Sequence, residues 1–110
     1  MNQTRGMNFA MCATACALLC APTVSVSAGD ASALAAKNGC QVCHAVDKKG
    51  VGPSYKEIAA KYAGDAGAPD TLKKKIKSGG SGVWGATPMP PSNLPDADLK
   101  ALVDWILAVK

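Results

Sequence analysis

The segment Cys40-Gln41-Val42-Cys43-His44 places two thiols three residues apart, with an imidazole directly after the second. Residues i and i+3 of a helical turn share a face, so both thiols can add to vinyl groups along one edge of a porphyrin. The next residue then lies under the ring, where its imidazole can bind iron. His44 is the only histidine in the chain. The pattern predicts covalent attachment of haem through Cys40 and Cys43, with His44 as one axial ligand.

The first 28 residues are typical of a secretory signal peptide. Arg5 carries a positive charge, Met7 to Ala21 is an uncharged apolar or small-residue run, and Val26-Ser27-Ala28 suits signal peptidase. Cleavage after Ala28 is expected. It leaves residues 29–110 as one domain in an oxidising compartment, the periplasm if the source is Gram-negative. A retained membrane anchor is the alternative, although the run is short of the roughly 20 residues that a span needs.

Without this leader, Met89 is the only methionine of the chain. It lies in Thr87-Pro88-Met89-Pro90-Pro91, within a loop of residues 79–91 that is rich in glycine and proline. Prolines stiffen the segment, so the side chain points in one defined direction. A methionine often fills a gap in a core. Here the upstream haem motif, and the lack of any other mature methionine or histidine, favour the Met89 sulfur as the iron ligand opposite His44.

Two protein ligands would leave no position on the iron for oxygen, peroxide or a substrate. Such a site gains and loses electrons, and the soft sulfur ligand raises the reduction potential. A haem peroxidase or a gas sensor would require Met89 to leave the iron.

Four helices and no strands are predicted for residues 29–110, which indicates an all-α fold. Asp30 is expected to cap the first helix, and Ser54 with Glu57 forms a capping box for the second. The apolar side chains are few and small, so a covalently held haem would complete the core. The helices are predicted from Asp30 to Asn38, from Ser54 to Gly64, from Pro69 or Asp70 to Ser78, and from Pro95 to the C-terminus.

Residues 29–110 resemble, nearly end to end, the small bacterial class I c-type cytochromes of the cytochrome c-551 type. The resemblance implies an all-α class I cytochrome c fold in which about four short helices surround one covalently attached haem c. It also implies that the N- and C-terminal helices cross beside the haem. The matching segments are Gly39 to Ala45, Val51 to Tyr55, Gly82 to Gly85, Pro88 to Pro91 and Asp104 to Leu107.

The resemblance also implies roles for residues around the haem. Pro53 corresponds to a proline whose carbonyl accepts a hydrogen bond from His44 Nδ1–H, which would orient the imidazole. Trp84 corresponds to an indole that donates to a haem propionate, although plain core packing is an alternative. Lys75 lies where relatives carry a basic residue near the same propionate, and a solvated lysine is the alternative.

Two positions depart from the family pattern. Relatives often have an aromatic residue in the first helix where this chain has Ala35. The packing contact between the first and last helices should therefore be smaller here. Relatives often have an asparagine after the ligand loop that hydrogen-bonds the methionine sulfur. Here Ser92 and Asn93 follow Pro91, and which of the two reaches Met89 is open.

The expected function is a soluble periplasmic electron carrier rather than an enzyme. The resemblance implies redox-protein partners, with electrons passing from a quinol-oxidising membrane complex to a terminal oxidase or a nitrite reductase. No small-molecule substrate is expected, and the carrier is expected to be a monomer. The surface lysines could steer the protein to acidic partners or could simply be solvated. They are Lys37, Lys48, Lys49, Lys56, Lys61 and the cluster of Lys73, Lys74, Lys75 and Lys77. The chain carries a formal net charge of +4, which is modest for nucleic-acid binding.

Two rival functions use the same cysteines. A thiol–disulfide oxidoreductase could use Cys40 and Cys43, which could also form one disulfide, but the βαβ strands of such folds are missing from the pattern. A structural zinc site would need a fourth nitrogen or sulfur ligand beside these cysteines and His44, and none is available.

Overall fold

The computed structural model describes residues 21–22 and 27–110. Most of the expected signal peptide therefore lies outside the described residues. The described part contains four α-helices and one 3₁₀ turn at Cys40–Val42, and it contains no strands beyond two isolated bridges. The prediction of an all-α fold is confirmed. The helices are α1 (Ala28–Lys37), α2 (Tyr55–Lys61), α3 (Ala68–Ser78) and α4 (Asp96–Leu107).

The N-cap of helix α1 lies three residues earlier than the sequence pattern predicted. This N-cap is Ser27, whose hydroxyl accepts a hydrogen bond from Asp30 N–H and donates one to the Asp30 carboxylate. The prediction that Asp30 is the cap is wrong, because Asp30 lies inside the first turn. The bond expected to be cleaved, Ala28–Gly29, lies at the first residue of this helix. Gly39 follows the helix with φ of 74°, a backbone conformation that glycine adopts without strain.

Helix α2 begins with the capping box that the sequence predicted. Ser54 Oγ accepts a hydrogen bond from Glu57 N–H at 3.1 Å, and Ser54 N–H donates to the Glu57 carboxylate at 2.8 Å. Both donors would otherwise lack a partner at the start of the helix. The box is buried on the Ser54 side, so it fixes where α2 starts and where the preceding Pro53 lies.

Helix α4 lies at the centre of the fold and packs against α1, α2 and α3. Its apolar side chains recur at the spacing of one helix face, and four of them are buried: Leu99, Leu102, Val103 and Ile106. Ala35 of α1 is fully buried in the same core cluster. The small alanine side chain lets the two terminal helices approach without an aromatic residue between them.

The loop between α3 and α4 has no regular structure, as its glycines and prolines predicted. It forms one wall of a large cavity whose other wall carries the Cys40–His44 motif. Among the residues described, no helix has the length and hydropathy needed to cross a bilayer.

Candidate haem site

A tight turn after α1 brings the two thiols and the imidazole to one wall of the cavity. Gly39 reverses the chain, residues Cys40–Val42 form the 3₁₀ turn, and His44 N–H donates to the Cys40 carbonyl at 2.9 Å. Cys40 and Cys43 are both half-buried and unbridged. Both thiols therefore face a shared cavity beside the imidazole, as covalent attachment of one flat ring requires.

The His44 imidazole is held in one orientation by the backbone that precedes α2. Its Nδ1 lies 2.6 Å from the Pro53 carbonyl oxygen. A carbonyl can only accept, so Nδ1 carries the proton, and Nε2 is left with the lone pair that a metal binds. This hydrogen bond also raises the basicity of Nε2.

Gly52 makes this orientation possible because it has no side chain. A Cβ placed at this position would lie 2.6 Å from His44 Cε1 and 3.0 Å from Nδ1. Gly52 N–H also donates to the Cys43 carbonyl at 2.9 Å, so the backbone of residues 43 and 52 is tied together. The imidazole edge is thus packed directly against backbone atoms.

Tyr55 supports the imidazole from the core side. The two rings are stacked with centroids 5.6 Å apart, and Trp105 of α4 contacts Tyr55 edge-on at 5.0 Å. Both geometries are favourable for aromatic pairs. Burial, and secondarily the nearby Cys40, raises the pKa of Tyr55 to about 12, so its hydroxyl is neutral. In the described chain this hydroxyl is the one buried side-chain polar atom without a hydrogen-bond partner.

Met89 is held on the opposite wall by the end of α3. Gly80 and Met89 exchange two backbone hydrogen bonds of 2.9 Å each, and Ser92 N–H donates to the Ile76 carbonyl at 2.9 Å. Gly79, with φ of 65°, lies so close to the Met89 carbonyl that a Cβ would collide with it. These contacts fix the position of the loop backbone relative to the C-terminal end of α3. Met89 is half-buried and packs against the core.

The cavity between these walls opens to solvent, and the empty space in it is about 1220 Å³ with the open part included. It brings together seven of the nine residues that the sequence singled out, and its lining is mostly apolar. The remaining two, Ser92 and Asn93, do not line it; Ser92 is half-buried and Asn93 is exposed. The seven are Cys40, Cys43, His44, Pro53, Lys75, Trp84 and Met89.

The lysines of α3 do not form one continuous unpaired surface. Lys77 pairs with Asp96 of α4, and Lys75 turns toward the loop, with Nζ near Gly80 and the cavity. Lys74 is exposed, whereas Lys73 is half-buried. The cluster is thus divided between an exposed ion pair, the cavity rim and the solvent.

Comparisons with known proteins agree with this geometry. The cytochrome c family model matches residues 28–110. The chain belongs to the cytochrome c family. It is 60% identical over 72 residues to cytochrome c-551 of Azotobacter vinelandii, covering 66% of this chain and 88% of that protein. It is 54% identical over 90 residues to cytochrome c-551 of Allochromatium vinosum, covering 81% and 96%.

Solved structures of the family have the same fold. The crystal structure of wild-type Nitrosomonas europaea cytochrome c552 matches with a TM-score of 0.68 and 57% identity, over 72% of this chain and 99% of that one. The resemblance to small class I c-type cytochromes of the c-551 type is therefore confirmed, and so are the class I cytochrome c fold and one covalently attached c-type haem.

The cavity of this cytochrome fits the haem that the family carries. Two thiols, an imidazole nitrogen and a thioether sulfur are suitable groups for attachment and for iron ligation. Lys49 and Lys75 line the same cavity and can face the haem carboxylates. A thiol–disulfide oxidoreductase is not supported: burial raises the pKa of Cys40, whereas a reactive thiol needs a lowered one.

Three positioning features were missed by sequence reasoning. In the sequence, Gly52 stands out only as part of a matching segment, and Gly79-Gly80 only as the end of a helix. The sequence predicts Lys61 as a surface charge, although its ammonium lies 5.4 Å from the centroid of the Trp84 ring. The Val-Gly-Pro and Gly-Gly patterns were the available signals for the first two, but no local pattern links Lys61 to Trp84.

Proposed function

We propose that this cytochrome holds a six-coordinate haem, attached through thioethers to Cys40 and Cys43, with His44 Nε2 and Met89 Sδ as the axial ligands. The observation that carries the proposal is the orientation of His44. Its Nδ1 is committed to the Pro53 carbonyl, so Nε2 keeps the lone pair that a metal can bind, and His44 lines the cavity. Met89 lines the same cavity, held there by its backbone pairing with Gly80.

When bound, haem supplies one-electron chemistry at its iron. The residues of this chain restrict the site to that chemistry, since the two axial side chains leave no position for a reactant. Pro53, Gly52 and the Gly80–Met89 pairing hold both ligands on fixed backbone. A site with the same ligands in both redox states needs little rearrangement when an electron arrives or leaves. The protein is thus an electron carrier and not an enzyme by itself.

We further propose that the mature carrier is residues 29–110, a soluble monomer in the periplasm, after cleavage following Ala28. Its partners would be redox proteins: a quinol-oxidising membrane complex as the donor, and a terminal oxidase or nitrite reductase as the acceptor. Val42 and Val46 are 82% and 48% exposed beside the attachment motif, with Lys48 and Lys49 close in sequence. An apolar centre bordered by cations suits a transient contact with acidic partners.

The ligand assignment is tested by replacing Met89 with leucine in the haem-loaded protein. Met89→Leu conserves volume and removes the sulfur, so the loop should stay packed. We expect the oxidised variant to lose the near-infrared sulfur-to-iron band and its reduction potential to fall. If the oxidised variant keeps this band, Met89 is not an iron ligand.

A second substitution on the same loop is the control. Val83→Leu changes an apolar side chain that is 51% exposed and lines the cavity, without altering any ligating atom. It should keep the near-infrared band and a potential near that of the unchanged protein. Equal spectral losses in both variants would point to a general disturbance of the loop and would contradict the assignment.

A further inference from the structure

Trp84 lies on a part of the cavity wall that has few constraints of its own. Trp84 lines the cavity, yet 41% of its surface is exposed. Gly82 and Gly85 flank it with φ of 112° and 122°, and a hydrogen bond of 2.8 Å from Gly82 N–H to the Gly85 carbonyl closes the loop. Neither glycine has a side chain to support the indole. Something else must therefore fix the direction of the ring.

Lys61 supplies such a contact from a rigid helix. It is the last residue of α2, which is anchored in the core by Tyr55 and Ile58. The Lys61 ammonium lies 5.4 Å from the centroid of the Trp84 ring, within the range of a cation–π interaction. Trp84 lines the cavity and Lys61 does not. The ammonium therefore contacts the indole from outside the lining.

We propose that Lys61 is a positioning residue that holds the Trp84 indole at the cavity mouth. The indole Nε1–H can only donate a hydrogen bond. With its ring fixed by Lys61, it would donate to a haem carboxylate. This inference rests on the proposed function, because the acceptor belongs to the haem.

The charge of Lys61 contributes in the same direction. Lys49 and Lys75 line the cavity, so an ammonium over Trp84 adds a third cation near the place where the carboxylates would lie. A cation over the ring also polarises the indole and strengthens its N–H as a donor. Removing Lys61 therefore loosens Trp84 and weakens the hydrogen bond that it donates.

Hydrogen exchange of the two indole N–H groups in the reduced, haem-loaded protein tests this directly. The chain has two tryptophans, so Trp105 is an internal reference in the same spectrum. Trp105 belongs to α4, contacts Tyr55 of α2 and lies outside the cavity lining. In Lys61→Met, we expect Trp84 Nε1–H to exchange about two- to fivefold faster, the change that matches an exposed cation–π contact. Trp105 should exchange as before.

Two further variants separate positioning from general effects of charge. Lys56→Met removes the same charge from an exposed site on the same helix, outside the lining of the cavity. Lys61→Met should also lower the reduction potential, because it removes a cation near the haem. Lys56→Met should leave Trp84 exchange unchanged and lower the potential less. Lys61→Arg keeps the charge and the ability to stack on the ring. Its Trp84 exchange rate and its reduction potential should therefore match those of the unchanged protein.

Several results would overturn the proposal. These are an unchanged Trp84 rate in Lys61→Met, a parallel rise at Trp84 and Trp105, or an equal effect of Lys56→Met. Failure of the proposed function gives a different result. It would be seen in the unmodified protein as a spectrum without His and Met ligation, whatever the exchange rates are.

Discussion

A methyl group added at Gly52 tests how tightly the imidazole is held. In Gly52→Ala the new Cβ would lie 2.6 Å from His44 Cε1. Carbon atoms in ordinary contact are about 3.5–4.0 Å apart, so the imidazole or the backbone must shift by about 1 Å. The imidazole has little room to move, because it stacks on Tyr55 and is hydrogen-bonded to the Pro53 carbonyl. The strain should cost about 1–3 kcal/mol, as for other overpacked sites.

The assay is thermal unfolding of the haem-loaded protein, followed by the reduction potential. A loss of 1 kcal/mol lowers Tm by about 4–8 °C in a domain of this size, so Gly52→Ala should lose about 5 °C or more. A shifted imidazole also weakens the hydrogen bond from Nδ1–H to Pro53. It then becomes a less basic ligand, which stabilises Fe(III) less and raises the potential.

Gly67→Ala is the matched control for this prediction. Gly67 has an ordinary φ of −85°, and a Cβ there would be 3.4 Å from Asp65 Oδ1. Its effect should stay within about 0.5 kcal/mol. If Gly52→Ala unfolds at the same temperature as Gly67→Ala and keeps the same potential, the close packing of His44 against residue 52 is refuted.

Three other predictions follow from the same contacts. Ser54→Ala removes the cap of α2 and should cost about 1 kcal/mol, measured as a Tm about 4–8 °C lower. Gly79→Ala should push the Met89 backbone away from α3, and the near-infrared sulfur-to-iron band should weaken in the oxidised protein. Hydrogen bonds from the Ser54 backbone and hydroxyl lower the pKa of Glu57. The associated stability is therefore present above the unfolded pKa of about 4.3 and is lost as the pH falls through the folded value. Glu57→Gln should lose less stability on acidification, as followed by circular dichroism in urea, and an acid profile equal to that of the unchanged protein would refute this.

The elements and the chemical groups of the site were predictable from sequence because they have local signals. The capping box at Ser54, the apolar face of α4 and the spacing of Cys40, Cys43 and His44 each lie within a few turns of chain. The start of α1 was predicted wrongly because of where the mature chain was expected to begin. Ser27 belongs to the predicted signal peptide, so Asp30 is the first capping residue of the predicted mature chain, although Ser27 accepts the hydrogen bond.

The role of Pro53 was implied by the family resemblance, and local patterns mark Gly52 and Gly79-Gly80 without showing what packs against them. The contacts that orient the ligands join distant segments, so local patterns alone do not predict them. Gly52 matters only because His44 folds back against it, and Gly80 only because the ligand loop pairs with it. The contact between Lys61 and Trp84 joins a helix end to a loop. Composition and periodicity contain no information about such approaches.

The measurement that tests the central claim most directly is the visible and near-infrared absorption of the haem-loaded protein in both redox states. His44 and Met89 as axial ligands predict a low-spin, six-coordinate iron in both states, with the sulfur-to-iron band in the oxidised one. A high-spin, five-coordinate iron, or a purified protein that loses its haem on denaturation, would contradict the account.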